Sequence, residues 1–166
     1  MTAAEFQTAF AQHKDAVYRF AWRMSGSAAA AEDITQDVFV ALLRYPDRFD
    51  PARGTLRAFL LGIARNLTLK HWRAEHRFDP LDDEAVAAEP VDLGRGEVGD
   101  MVGRAVRALR PLQREVVILA EYEGLTLAEV ARAVDADVGT VKSRLHRARE
   151  NLRRALAPLR SQPTTT

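Results

Sequence analysis

The sequence predicts an all-α protein made of two small helical domains joined by a flexible acidic linker. Apolar residues recur at three- and four-residue steps on both sides of the linker, and residues 1–77 lack the alternating runs that build a sheet. Prolines, glycines and acidic residues instead crowd residues 78–100, where no periodicity is sustained. These observations predict helical domains at residues 1–77 and 101–157, followed by a disordered tail at 158–166.

The bulk composition narrows the class of protein. A chain of 166 residues with 47% apolar content holds one ordinary domain or two small ones. No apolar run approaches the ~20 residues that span a bilayer, and the N-terminus lacks a signal-peptide pattern. We therefore expect a cytoplasmic protein without membrane insertion. The absence of cysteine excludes disulfides, thiolate metal sites and thiol redox switches.

Charge is strongly segregated along the chain, although the net charge is only +1. Residues 1–50 carry −2, residues 51–77 carry +5, residues 78–100 carry −7 and residues 101–166 carry +5. Two basic blocks separated by an acidic spacer indicate two polyanion-binding surfaces on one chain.

Three amphipathic helices are predicted in the N-terminal domain, over about residues 2–24, 28–43 and 55–77. Pro46 ends the second helix because proline cannot continue it, and turn-forming residues 50–54 lead into the third. The first helix is expected to bury Phe6, Phe10, Val17, Phe20, Ala21 and Met24. The third is expected to bury Leu56, Phe59, Leu60, Ile63, Ala64 and Leu67, and to expose Arg57, Arg65, Lys70, Arg73 and Arg77.

The C-terminal domain is predicted to contain four helices, beginning at about Met101 and at Pro111 and ending in a helix-turn-helix. Thr126 and Glu129 form a capping-box pattern that starts the third helix, and Asp137 can cap the fourth at Val138. The fourth helix is basic and has an apolar seam at Val138, Val141, Leu145, Ala148 and Leu152. A solvated surface helix pair is the alternative, but cap, turn, seam and charge together favour a DNA-reading unit.

The segment GLTLAEVARAVDADVGTVKSRLHRARENL, residues 124–152, resembles the last region of bacterial sigma factors, which reads the promoter −35 element. The run GTVKSRL followed by Arg147-Ala148-Arg149 is highly specific to that family. The resemblance implies DNA contacts from Thr140, Lys142, Ser143, Arg144, His146, Arg147 and Arg149. The candidates for base readout are Lys142, Ser143, His146 and Arg147. Two roles stay open for Arg144 and Arg149, which are contact with DNA phosphates and contact with the polymerase core.

Two N-terminal segments carry the same resemblance. Residues 31–39, AEDITQDVF, are similar to the sigma helix that grips the clamp coiled coil of RNA polymerase. That similarity implies polymerase contacts from Glu32, Asp33, Gln36, Asp37 and Phe39, against the alternative that Asp33 and Asp37 are plain surface. Residues 59–66, FLLGIARN, resemble the segment that reads and melts the −10 element. The resemblance implies that Asn66 and the loop at residues 49–55, which supplies Phe49 and Arg53, hold a base flipped from the −10 element. The basic turn that follows, with Lys70, Trp72 and Arg73, can neutralise phosphates and stack a base. A core or interdomain position is the alternative for Trp72.

The chain is thus identified as a member of the extracytoplasmic-function (ECF) group of the sigma-70 family. This implies RNA polymerase core (its clamp coiled coil and flap) and promoter DNA, both double- and single-stranded, as partners, with an anti-sigma factor as a further partner. No catalytic constellation is present, so no enzyme activity, cofactor or metal is expected. The alternatives are a stand-alone helix-turn-helix regulator, and a polymerase-binding regulator that does not open promoters.

Overall fold

The computed structural model describes residues 1–75 and 98–160, and within those ranges it consists of helices and turns without a strand. The N-terminal domain contains α1 (Ala3–Ser25), α2 (Ala28–Arg44) and α3 (Leu56–Glu75). The C-terminal domain contains α4 (Val98–Ala108), α5 (Pro111–Val117), α6 (Leu127–Ala133) and α7 (Val138–Arg160). The all-α prediction is confirmed. Most of the predicted linker, Arg77 and the end of the tail lie outside the described residues.

Capping residues determine where α1 begins and ends and where α2 begins. Thr2 and Glu5 form a reciprocal capping box at the start of α1, which sequence analysis did not identify. Gly26 adopts a left-handed φ of 69° and ends α1, and the Ser27 side chain accepts a bond from the Ala30 N–H to start α2. The fully buried side chains of Phe20, Met24, Ile34, Leu42, Leu60 and Leu61 form the core between the three helices.

Two short 3₁₀ turns, Pro46–Arg48 and Pro51–Arg53, connect α2 to α3 where a loop was predicted. The Asp50 carboxylate accepts a 2.9 Å bond from the Ala52 N–H, and Thr55 Oγ1 accepts one from the Ala58 N–H at 3.1 Å. These bonds fix the connection and hold Phe49 beside the first turns of α3.

The C-terminal domain departs from the prediction at two helix ends. Beyond α5 the backbone widens into a π turn over Ile118–Tyr122, in which the Glu123 N–H donates to the Ile118 carbonyl at 2.9 Å. Gly124, with φ 68°, then ends this segment. The last helix continues to Arg160 and includes Pro158, so residues 158–160 are helical where a disordered tail was expected.

The two domains pack directly against each other, with α3 on α6 and α1 on α4. Buried Arg114 on α5 crosses the boundary, where it donates hydrogen bonds to the carbonyl oxygens of Met24 and Leu109. Two predictions about side-chain exposure are wrong. Arg57 and Arg65 are half-buried in this interface rather than solvent-facing, and the Phe10 side chain is exposed, with 41% of its surface accessible.

Candidate nucleic-acid interface

A cleft of about 400 Å³ lies between the 3₁₀ turns and α3 on one side and α6 on the other. The rings of Phe49 and Phe59 meet in its wall, with centroids 5.4 Å apart and planes tilted by 51°. Arg53 and Asn66 also line the cleft, and both are exposed. The structure therefore brings together an aromatic pair, an amide and a guanidinium, which can stack a base and bond to its edge.

The remaining −10 candidates lie further along α3 and are not equivalent. Lys70 and Arg73 are exposed, where they can approach phosphates. Trp72 is half-buried, and the guanidinium of Arg114 lies 5.2 Å from the centroid of its ring. Trp72 thus occupies an interdomain position, which was one of its two predicted environments.

The basic helix α7 has a buried face and an exposed face. Of the predicted seam, Val141, Leu145 and Ala148 are buried, which seats the helix against α5 and α6. Leu152 is half-buried, and Val138, at the first turn, is exposed, so the seam is shorter than predicted. The exposed residues between the buried positions include all four candidates for base readout: Lys142, Ser143, His146 and Arg147. This arrangement follows from the 3.6-residue period, because residues between the seam positions point away from the core.

Two further candidates on α7, Thr140 and Arg149, have structural partners within the chain, and so does His146. The Thr140 backbone N–H donates a 2.7 Å bond to the Asp137 carboxylate that caps the helix. Arg149 is exposed and forms an ion pair with Glu121. His146 Nε2 lies 3.3 Å from a Glu150 carboxylate oxygen, and both side chains are largely exposed.

Hydrogen bonding at the two helix starts lowers the pKa of both capping acids. The Thr126 N–H beside Glu129 is the largest cause of the lowered pKa of that carboxyl, and Thr55 and Arg57 act in the same direction. The Thr140 N–H likewise lowers the pKa of Asp137. Both caps therefore hold the helix-turn-helix in shape with their carboxylates ionised.

The candidate polymerase-contact face of α2 is only partly as predicted. Glu32, Asp33, Gln36 and Asp37 are all exposed. Phe39 is not: it is 3% exposed, and its ring packs edge-on against Phe10 at 4.9 Å between centroids. The Phe39 ring faces α1 rather than solvent in this structure, and a direct contact between Phe39 and polymerase stays a prediction.

Sequence analysis did not identify the ion pairs that join the domains. Glu115 is completely buried and accepts two bonds from Arg65, at 2.7 and 3.0 Å. Glu123 is surrounded by Arg19, Arg23 and Arg57. The available signal was that Glu115 falls between Leu112, Val116 and Leu119 at helical spacing, which places a carboxylate on an apolar face.

Residues 1–75 and 98–160 contain no group of three or more histidines or acids placed to hold a metal ion. Within the same ranges, no helix is both long and apolar enough to cross a membrane.

Two helical domains, an aromatic cleft and a basic helix with an exposed polar face are features of a helical nucleic-acid-binding class of protein, and comparisons with known proteins agree. Residues 9–78 match the sigma-70 region 2 family, and residues 99–152 match sigma-70 region 4. ECF sigma factor SigE of Mycolicibacterium smegmatis is 36% identical over 88% of this chain, and ECF sigma factor SigW of Bacillus subtilis is 31% identical over 92%. The chain belongs to the ECF group of the sigma-70 family.

Solved structures show the same fold. The sigma factor RpoE of Bartonella quintana, crystallised with the anti-sigma factor NepR, superposes with a TM-score of 0.73 and 28% identity, covering 92% of this chain and 97% of that one. CnrH, solved with the cytosolic domain of CnrY, gives 0.71 and 27%, covering 95% and 90%. The chain spans 91% of SigW but only 59% of SigE and 61% of BldN of Streptomyces coelicolor.

Proposed function

We propose that this chain binds the RNA polymerase core and directs transcription initiation at promoters with matching −10 and −35 elements. The observation that supports the proposal is that one chain holds two separate surfaces with the chemistry to bind nucleic acid. One is the Phe49–Phe59 cleft with Asn66, and the other is the exposed basic face of α7. A regulator that binds only duplex operators has no use for the first.

At the −35 element, α7 enters the major groove and its outward side chains read base edges. Lys142 and Arg147 donate to purine acceptors, and Ser143 and His146 supply shorter-range contacts. Arg144 and Arg149 lie on the flanks of this face and serve the phosphates, for which Arg149 must first leave Glu121.

At the −10 element, a base flipped from the duplex stacks in the cleft while the Asn66 amide bonds to its edge. Arg53, Lys70 and Arg73 neutralise the phosphates of the separated strand. Trp72 becomes available for stacking only when Arg114 withdraws from its ring.

The polymerase supplies the chemistry, and this chain supplies promoter choice. Asp33 and Asp37 lie one turn apart on α2, and together with Glu32 and Gln36 they present an acidic surface that suits a basic partner such as the clamp coiled coil. The C-terminal domain would rest on the flap. RpoE of Bartonella quintana was solved with an anti-sigma factor, and we infer a partner of that kind here, in the cytoplasm.

Transcription in vitro with purified polymerase core, with and without the full chain, tests this function. We expect transcripts from a defined set of start sites only when the chain is present. Co-elution with the core without any transcript would instead indicate a polymerase-binding regulator. If the chain neither co-elutes nor directs transcription but binds duplex DNA alone, it is a stand-alone helix-turn-helix regulator.

A further inference from the structure

Four arginines of the N-terminal domain converge on two carboxylates of the C-terminal domain. Arg57 donates to the side chain of Glu123 at 2.6 Å and to its backbone carbonyl at 2.7 Å. Arg19 and Arg23 lie 3.3 and 3.7 Å from the same carboxylate. Arg65 holds Glu115 through two bonds in a fork geometry. The Glu123 and Glu115 side chains are 1% and 0% exposed.

The charges around Glu123 do not balance, because three guanidinium groups face one carboxylate. Burying ion pairs is also a weak source of stability, since desolvation offsets most of the attraction. Guanidinium forks bind phosphate with the same geometry as carboxylate. The four arginines, here called the basic groove (Arg19, Arg23, Arg57 and Arg65), therefore have the chemistry of a phosphate site.

Two arginines of the basic groove, Arg57 and Arg65, lie on α3, the helix that also contributes Ala58, Phe59 and Asn66 to the Phe49–Phe59 cleft. None of the four arginines lines the cleft itself, but Arg65 donates to the Asn66 amide oxygen at 3.3 Å. A strand with one base in the cleft would carry its next phosphates along these arginines.

We propose that the basic groove binds the phosphates of the single-stranded −10 DNA, and that Glu115 and Glu123 occupy it as phosphate mimics in the free chain. The proposal rests on the proposed function for the identity of the strand. It makes domain packing and strand binding mutually exclusive, because the same guanidinium groups cannot serve both.

The position of α6 agrees with this exclusion. Thr55, at the start of α3, donates to the Glu129 carboxylate at 3.4 Å, and Arg132, Ala133 and Asp135 form the opposite wall of the cleft. This wall carries two carboxylates, Glu129 and Asp135, against one guanidinium, Arg132, so its net charge opposes an entering phosphate backbone. A strand reaches the cleft only after the C-terminal domain has moved away.

Binding of the free chain to a fluorescent oligothymidylate, followed by anisotropy over a salt series, tests the proposal. The two partners of one ion pair should act in opposite directions. Glu123→Gln frees the groove and tightens binding several-fold. Arg57→Gln also breaks the pair but removes a phosphate contact, so it weakens binding and lowers the salt slope by about 0.7. The control variant Arg44→Gln removes the same charge from the same domain but outside the groove. It should change the affinity and the salt slope less than Arg57→Gln does.

The proposal is overturned if both substitutions tighten binding, because the arginines then serve only to hold the domains together. It is also overturned if neither changes binding. Circular dichroism checks that each variant folds. Should Glu123→Gln fail to fold, Glu115→Gln makes the same test at Arg65.

An engineered crosslink gives a second test, because the chain has no cysteine of its own. A Cβ at Gly62 lies 3.9 Å from Cβ of Ala133, within the range that a disulfide spans. The double variant Gly62→Cys/Ala133→Cys should oxidise readily, lose oligothymidylate binding and regain it with reductant. Failure to crosslink, or equal binding in both redox states, contradicts the proposal.

Neither assay contains polymerase or a promoter, so the two proposals fail separately. If the two substitutions act in opposite directions but the chain directs no transcript, the basic-groove proposal stands and the proposed sigma function is wrong. If the chain directs transcripts but the two substitutions do not act in opposite directions, the proposed function stands and the basic-groove proposal is wrong.

Discussion

On α2, burial separates the side chains that are available to a partner from those that hold the fold. Asp33 and Asp37 are exposed, whereas Phe39, two positions beyond Asp37, is sealed against α1 by Phe10. All three lie in one motif, AEDITQDVF, and the motif alone assigns them one role. Phe39 therefore shapes the contact face from beneath, and the acids carry the proposed contact.

Reversal of one exposed charge on α2 should weaken assembly with polymerase. Asp37→Lys places a cation against a basic partner surface and is expected to reduce core binding, with the larger effect at low salt. Asp47→Lys makes the same change on an exposed position of the connecting turn and serves as the control. The measurement is a binding titration with purified core. Equal affinities for the two variants would show that this face of α2 is not the contact.

On α7, the outward position of Arg147 makes it the sharpest probe of base readout. Arg147→Ala should cost about 1–3 kcal/mol at the preferred −35 sequence and relax the choice of base there. Arg153→Ala removes an exposed arginine further along the same helix and should leave the preference unchanged. Competition binding of holoenzyme to promoter variants measures both. An unaltered preference in Arg147→Ala would remove this residue from the reading set.

At the scale of helices, local capping chemistry explains the helix-turn-helix. Thr126 Oγ1 accepts from the Glu129 N–H at 3.1 Å, and the Glu129 carboxylate accepts from the Thr126 N–H at 3.0 Å. We expect Thr126→Ala to lower the free energy of unfolding by about 1 kcal/mol in urea denaturation. Thr8→Ala, inside α1, removes a threonine that caps no helix and should cost nothing. Equal losses in the two variants would mean that the capping box does not stabilise the domain.

The same capping box predicts a pH dependence. The pKa of Glu129 is lowered from 4.5 in the folded chain, mainly by the Thr126 N–H, and Thr55 and Arg57 are the facing groups that act in the same direction. The ionised cap therefore adds stability above about pH 4.5, and this stability is lost as the pH falls through the folded pKa. The stability difference between the wild-type chain and Glu129→Gln should shrink on acidification across that range. A difference that does not vary with pH would show that Glu129 ionises equally in both states.

Helix-scale features were predictable where a short sequence signal specifies them. The capping box at Thr126, the stop at Pro46 and the seam of α7 all follow from residues within one or two turns of each other. The π turn at Ile118–Tyr122 was not predictable. A π turn shifts the spacing of apolar residues by only one position, which is too little to distinguish it from an α-helix in the sequence. The helical state of Pro158 also escaped prediction, since proline ordinarily signals a helix end.

At the scale of the whole molecule, the sequence defines two domains and two basic surfaces but not how they meet. Arg57 and Arg65 lie on the polar side of α3, and spacing alone assigns such residues to solvent. Their partners, Glu123 and Glu115, are 66 and 50 residues away along the chain. Contacts between residues so far apart produce no periodic pattern in the sequence, so the packing of α6 over the Phe49–Phe59 cleft is seen only in the structure.

The central claim, that one chain reads two promoter elements through two domains, is tested most directly by promoter selection. Polymerase core and this chain transcribe a library randomised at both elements, in parallel with Asn66→Ala and Arg147→Ala. The wild-type chain should enrich a −10 and a −35 motif, Asn66→Ala should lose selection at −10 alone, and Arg147→Ala at −35 alone. A single motif enriched by the chain without polymerase, or both motifs lost together in each variant, would contradict the account.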